Sequence, residues 1–271
     1  MKAIHSFFSL LGAFLFLLTS LSSAERPSPS KGRSAPVKPA LAKAVASSFP
    51  KPEANSAPSL LDLFAARHRQ LTIAIDPGHG GSERGAHSDE PPLYEEKSLT
   101  LQTAHQLRHL LQQMGHRVVM TRELDKQVSL ADRAALANQQ AVDLFVSLHY
   151  NWAPNKEAAG VEVFYFADGR SNESKKLANR VLDGIIEKTG ANRRAVKLAN
   201  FVVLKRTQMA AILVEGGFLS NEKERELCLD GQYREKIALG VALGIEYFLA
   251  DKRIQKLEEA SHLAADRLKQ R

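Results

Sequence analysis

The hydrophobic positions between residues 71 and 249 follow two alternating patterns. Short, dense apolar runs of strand length lie at 71–75, 117–120, 143–148, 161–166, 201–204 and 211–214. Longer segments with the helical period lie between them, at about 97–114, 130–140, 173–188 and 233–249. Ser129, followed by Asp132, resembles a capping box at the start of the second of these segments. Strands that alternate with helices predict an α/β fold, a single layer sandwich with a largely parallel central sheet flanked by helices.

The two ends of the chain differ from this central region. Residues 1–24 predict a signal peptide, because a short polar start precedes an apolar run and Ser22 and Ala24 supply the small residues of a cleavage site. Residues 25–70 are rich in Pro, Ser, Ala and Lys and predict a flexible linker. Residues 250–271 predict a charged helical tail. The domain with a core is therefore expected at 71–249.

Composition and charge narrow the function classes. The formal net charge is +7, yet residues 71–249 hold 22 basic and 23 acidic residues, so the excess charge belongs to the ends. A nucleic-acid-binding domain would carry its basic surface on the folded part, which argues against that class. Mean hydropathy of −0.25 argues against a multi-span membrane protein. The single cysteine, Cys228, excludes an internal disulfide framework and a Cys-rich zinc module.

Three of the predicted strands lead into residues that carry chemistry. The sequences that follow them are Asp76-Pro77-Gly78-His79-Gly80-Gly81, His149-Tyr150-Asn151 and Glu215-Gly216-Gly217. Ligands of open α/β sheets bind at the carboxyl ends of the strands, so His79, His149 and Glu215 are expected to converge. The adjacent Glu95 and Glu96, at the start of the first helical segment, offer a further carboxylate.

Two histidines with one glutamate form a recurring catalytic zinc set, and a separate carboxylate can accept the proton of an attacking water. Each residue alone also has an ordinary structural role, in a turn, a core or a helix cap. A serine mechanism competes, because Ser220-Asn221-Glu222-Lys223 and Lys188-Thr189-Gly190 match two fragments of the serine penicillin-binding signature. Their order is reversed, and the chain has no Ser-x-Asn element.

Five blocks in chain order give residues 71–249 a resemblance to a known family, the zinc-dependent N-acetylmuramoyl-L-alanine amidases of type 3. The blocks are Ile75-Asp76-Pro77-Gly78-His79-Gly80-Gly81, Tyr94-Glu95-Glu96-Lys97-Ser98-Leu99, Thr121-Arg122 with Leu130-Ala131-Asp132-Arg133 and Ala137-Asn138, Asp143 through Asn151, and Leu213 through Asn221. By this resemblance His79, Glu96 and His149 hold Zn²⁺ and Glu215 is the catalytic carboxylate. Only the Glu-Lys step of the family pattern selects Glu96 over Glu95.

The same resemblance implies a periplasmic or secreted hydrolase that cleaves the amide between N-acetylmuramic acid and L-alanine in peptidoglycan. Its expected partners are peptidoglycan or muropeptide fragments, with no nucleic acid and no stable membrane span after processing; the sequence does not identify an activator protein. The alternatives are a zinc peptidase acting within the stem peptide and a non-catalytic peptidoglycan-binding module. The chain departs from the family pattern at Tyr150 and Trp152, where small residues are usual; these aromatics either shape a glycan or peptide subsite or pack on the rim.

Overall fold

The computed structural model describes residues 70–269, which form a six-stranded sheet, a separate two-stranded sheet and the helices around them. The strands are β1 (Thr72–Pro77), β2 (His87–Ser88), β3 (Tyr94–Glu95), β4 (Arg117–Met120), β5 (Leu144–Asn151), β6 (Val161–Tyr165), β7 (Arg193–Leu198) and β8 (Ala210–Phe218). The helices are α1 (Glu96–Gln113), α2 (Leu130–Gln139), α3 (Ser171–Thr189), α4 (Val202–Lys205), α5 (Glu222–Leu229) and α6 (Gly231–Lys269).

Two of the expected segments fall beyond this part of the chain. The signal peptide expected at 1–24, and all but the last residue of the linker expected at 25–70, lie outside the described residues. Within the described part, none of the helices combines the length and the apolar character that crossing a membrane requires.

The large sheet has the strand order β4-β1-β5-β8-β6-β7. The first four of these strands run parallel to one another, β6 is antiparallel to β8, and β7 is parallel to β6. The central strands β1, β5 and β8 are buried along most of their length, as expected for parallel strands covered on both faces. The predicted α/β fold with a largely parallel sheet is therefore confirmed.

One face of the sheet packs against α2 and α4. The buried side chains that make this contact are Ala74, Ala137, Phe145, Val203, Leu204 and Leu213. Side chains two residues apart on a strand share a face, so the same face continues from Phe145 to His149 and from Leu213 to Glu215. The face of the sheet that packs against α2 and α4 is therefore also the face on which His149 and Glu215 lie at the ends of their strands.

The sequence-based prediction assigns one element wrongly and misses others. The run Phe201–Leu204, predicted as a strand, is the N-cap and most of the short helix α4, because Val203 and Leu204 turn inward to fill the core. The strand of this region is instead β7, which has no buried residue and carries three charged ones because it lies at the sheet edge. The helix α5 was also missed, whereas Ser129 caps α2 as predicted by accepting a hydrogen bond from the backbone N–H of Asp132 at 3.1 Å.

Candidate metal centre

Three side chains from three different elements meet at the carboxyl end of the parallel strands. His79 follows β1, Glu96 is the first residue of α1, and His149 lies near the end of β5. Glu96 Oε1 lies 3.0 Å from His79 Nε2 and 3.2 Å from His149 Nδ1. One ligand atom of each residue lies within 4.8 Å of the other two. Two imidazole nitrogens and a carboxylate oxygen at this spacing could hold a metal ion.

The Glu96 carboxylate is fixed from both sides by backbone donors. The N–H of Tyr150 donates to Oε1 at 3.0 Å, and the N–H of Ala86 donates to Oε2 at 2.9 Å. Burial alone would raise the pKa of Glu96, but hydrogen bonds from His149 and His79 outweigh it and hold the pKa well below its ordinary value. The side chain is therefore an ionised, immobile oxygen donor at the centre of the group.

The neighbouring Glu95 is engaged elsewhere. Arg84 Nε donates to Glu95 Oε1 at 2.6 Å, and Lys97 Nζ lies 3.3 Å from Oε2. Glu95 is the N-cap of α1, so its side chain leaves the helix in a different direction from that of Glu96. Of the two adjacent glutamates, the structure brings Glu96 together with the histidines.

The turn that carries His79 is held by two arginines from distant elements. Arg122 donates from Nε to the carbonyl of Pro77 at 3.0 Å and from Nη2 to the carbonyl of Gly78 at 2.8 Å. Arg133 of α2 donates from Nη2 to the carbonyl of His79 at 2.6 Å. His79 itself has a left-handed backbone (φ 61°), which a non-glycine residue keeps only when its surroundings impose it. A Cβ on Gly78 would approach the His149 ring to 2.2 Å, so only glycine lets the two histidines come together.

Beneath this turn lies a buried ion pair. Asp76 and Arg133 are both 1% exposed, and Arg133 Nη1 lies 2.8 Å from Asp76 Oδ1. Thr121 and Ser147 donate their hydroxyls to the two carboxylate oxygens of Asp76 at 2.6 and 2.7 Å. The pair joins β1 to α2 through a fully hydrogen-bonded network, and so anchors the base of the His79 turn.

Removing the arginine of this pair should destabilise the whole domain. In Arg133→Met the Asp76 carboxylate stays buried without its cation, which we expect to lower the free energy of unfolding by about 3–5 kcal/mol. Urea denaturation measures the change. Arg108→Met, which removes an exposed ion pair with Glu123, is the control and should cost at most about 1 kcal/mol. Equal losses in the two variants would contradict a structural role for the buried pair.

Glu215 lies beside the three donors because the register of β8 and β5 sets it opposite His149. Its Oε2 is shielded from solvent and has no hydrogen-bond partner among residues 70–269. Burial raises the pKa of the Glu215 carboxyl well above its ordinary value, and the carboxylates of Glu96 and Glu162 raise it further. A carboxyl group in this state is suited to exchanging protons with a bound substrate or water.

Two cavities border this group of residues. The larger has a volume of about 510 Å³, and besides His79, Glu96, His149 and Glu215 it is lined by Gly85, Ala86, His87, Tyr150, Asn151 and Trp152. The smaller, of about 160 Å³, shares His79, His149 and Glu215 with it. The rest of its lining combines apolar side chains with charged ones: Leu130, Phe201, Val202, Val203 and Leu213, with Gly78, Asp76, Glu83 and Arg133. The candidate centre therefore lies where a larger cavity meets a smaller one that has more large apolar side chains in its lining.

The family model for N-acetylmuramoyl-L-alanine amidases, Amidase_3, matches residues 73–247. The chain belongs to this amidase family. The membership expected from the five sequence blocks is thereby confirmed, and the matched range contains every residue of the candidate centre.

Individual amidases agree with the family match. A probable cell wall amidase, LytH of Staphylococcus epidermidis, is 35% identical over 179 residues, which cover 66% of this chain and 58% of the relative's length. The crystal structure of an N-acetylmuramoyl-L-alanine amidase from Clostridium difficile 630 superposes with a TM-score of 0.64 at 36% identity, covering 68% of this chain and 98% of that one. The CwlD amidase from Clostridioides difficile, solved in complex with the GerS lipoprotein, gives a TM-score of 0.63 at 31% identity, covering 67% and 99%.

The two aromatic residues at which this chain departs from the family pattern have different surroundings. Tyr150 is buried, and its hydroxyl forms a 2.7 Å hydrogen bond with that of Thr103, so it belongs mainly to the core. Trp152 is 54% exposed at the rim of the larger cavity. The fragments that suggested a serine mechanism occur at helix ends: Asn221 caps α5, and Thr189 ends α3.

Sequence reasoning did not identify two acidic residues of the candidate site. Glu83 Oε1 lies 3.0 Å from His79 Nδ1, so the other ring nitrogen, Nε2, is the one that faces Glu96 and could bind a metal. Glu162 is paired with Glu215 across the antiparallel strands β6 and β8, and it contacts Arg194 and Lys197 of the edge strand. Glu83 is four residues from His79, a spacing that could have been noticed; Glu162 meets Glu215 only through strand register.

Proposed function

We propose that this amidase is a zinc-dependent hydrolase that cleaves the amide bond between N-acetylmuramic acid and L-alanine in peptidoglycan. His79, Glu96 and His149 are the proposed zinc ligands, and Glu215 is the proposed catalytic carboxylate. The observation that carries the proposal is the convergence of these four side chains on one cavity, within a domain that belongs to the amidase family.

The residues present fit a zinc ion. Their donor set is two imidazole nitrogens and one carboxylate, and the Glu96 oxygen lies 3.0 and 3.2 Å from one nitrogen of each ring, so the three donors already meet around one point. A three-residue set leaves a coordination position for water or substrate. When bound, zinc polarises an amide carbonyl and makes a coordinated water more acidic.

The side chains of the protein orient the metal ligands and transfer the proton. Glu83 holds His79 through Nδ1, and the N–H groups of Tyr150 and Ala86 hold Glu96, so the ligands keep their orientation. Glu215, with one unpartnered buried oxygen, takes a proton from the attacking water and delivers it to the departing alanine nitrogen. Breakdown of the amide yields the lactyl carboxylate and a free alanine amine.

The site of action proposed for the protein is outside the cytoplasm, either periplasmic or secreted. Peptidoglycan lies there, and the expected signal peptide at 1–24 agrees with export. The substrate partner is peptidoglycan or its muropeptide fragments. The complex of CwlD with the GerS lipoprotein is a precedent for a protein partner on this fold.

Mass spectrometry of a peptidoglycan digest tests the proposed bond. The purified protein with zinc should release stem peptides that begin with a free L-alanine amine and leave N-acetylmuramic acid with a free lactyl carboxylate, and a chelator should abolish the reaction. Shortened peptides still attached to the sugar would establish the stem-peptide peptidase instead. Binding to peptidoglycan without any new product would favour the non-catalytic module.

A further inference from the structure

Trp152 is the single tryptophan of the chain, and it lies three residues beyond His149 on the rim of the larger cavity. An exposed apolar side chain is ordinary by itself on a protein surface. Here, however, a 54% exposed indole lines the same cavity as the proposed zinc ligands and Glu215. This large apolar ring is therefore exposed beside the candidate centre.

The surroundings of this indole are polar. His87 and Asn151 line the same cavity, and the Asn151 Oδ1 accepts the backbone N–H of Trp152 at 2.8 Å. Lys156 Nζ lies over one face of the indole, 6.0 Å from the ring centroid, so the opposite face is the one proposed to meet a ligand. A flat apolar face bordered by hydrogen-bonding groups matches a pyranose ring, which has an apolar C–H face and a polar edge. An aliphatic side chain would instead be matched by apolar walls.

The sizes of the two cavities also favour a sugar ring on the side of Trp152. The scissile amide has to lie at His79, His149 and Glu215, which line both cavities. The groups on its two sides are therefore expected to occupy different cavities. The smaller cavity, of about 160 Å³, has five apolar side chains among charged ones in its lining, and its size suits a small group such as the methyl of alanine. The larger one, about 510 Å³, falls within the roughly 300–1,000 Å³ of small-molecule sites and contains Trp152 on its rim.

We propose that Trp152 is a sugar-binding platform, whose indole face stacks on a pyranose ring of the glycan part of the substrate. This inference rests on the proposed function and adds the residue that selects the glycan side of the substrate. Trp152 acts on binding and not on proton transfer, since it carries no group that titrates near neutral pH.

Intrinsic fluorescence tests the platform without any turnover. Because the chain has one tryptophan, indole emission reports on this position alone. Titration of the zinc-loaded protein with the peptide-free disaccharide N-acetylglucosaminyl-N-acetylmuramic acid should change the emission, and a free stem peptide of the same concentration should not. Emission that responds only to the free peptide would overturn the assignment to sugar.

Kinetics on a disaccharide-peptide provide the second readout. Trp152→Ala should raise KM by roughly three- to tenfold with little change in kcat, and Trp152→Phe should recover most of the loss. Leu257→Ala, which removes another exposed apolar side chain on α6, is the matched control and should leave KM unchanged. An unchanged KM in Trp152→Ala would refute the platform.

The two experiments also separate this inference from the proposed function. If the disaccharide changes the emission but no amide is cleaved, the platform stands and the proposed function fails. If the amide is cleaved but neither the emission nor the KM of Trp152→Ala responds, the proposed function stands and the platform fails.

Discussion

Replacing Glu215 by Gln is expected to lower turnover by roughly 10²- to 10⁴-fold while zinc stays bound. Gln keeps the volume and polarity of the side chain, so the fold and the three donors are preserved, but it cannot accept the proton of the attacking water. The carboxyl also has one buried oxygen without a partner among the described residues, so no other hydrogen bond is broken at that atom. Amide cleavage assayed together with zinc content by mass spectrometry measures both effects.

The control for this variant is Glu226→Gln, which neutralises an exposed carboxylate on α5. It should keep both the wild-type rate and the wild-type zinc content. Loss of zinc from Glu215→Gln would mean that this residue is a ligand and not the proton carrier. A wild-type rate in Glu215→Gln would refute its catalytic role altogether.

The parts of the fold that the sequence predicts are those buried on both faces. β1, β5 and β8 lie in the middle of the sheet, so their sequences are short apolar runs that few other structures produce. β7 has solvent on one edge and carries Arg193, Arg194 and Lys197, so its apolar signal is weak. The four residues Phe201–Leu204 are too few to separate a strand from one helical turn by periodicity, and packing against α2 decided in favour of the helix.

The sequence also predicts only part of the candidate site. His79, His149 and Glu215 follow predicted strands directly, so the rule that ligands bind at strand ends was enough to bring them together. Arg133, Glu83 and Glu162 act through contacts that depend on the turn and on strand register. The four-residue spacing of Glu83 from His79 is the one sequence signal among them, and neither composition nor spacing indicates the contacts of Arg133 and Glu162. The choice between Glu95 and Glu96 rested on a family pattern, whereas the structure offers a physical reason, the engagement of Glu95 by Arg84 and Lys97.

That pair of adjacent glutamates gives the sharpest test of the proposed ligand set. In Glu96→Gln we expect zinc affinity to fall by more than about 100-fold, beyond the loss typical of residues that only support a ligand. Gln can still accept the N–H of Tyr150 or Ala86 through its carbonyl oxygen, so the loop and helix that meet there should remain folded. Amide cleavage should fall with the zinc content, because the ionised donor between the two histidines is lost.

The matched variant is Glu95→Gln, which removes the same charge one position away. It breaks partly exposed contacts with Arg84 and Lys97, which are worth about 1 kcal/mol or less each, and should retain zinc and most of the activity. Competition with a chelator measures zinc affinity for both proteins, and thermal unfolding of the metal-free forms shows whether either variant has lost its fold. If Glu95→Gln releases zinc and Glu96→Gln retains it, the ligand is shifted by one residue. If both retain zinc, His79 and His149 must bind the metal with a third donor other than these two glutamates.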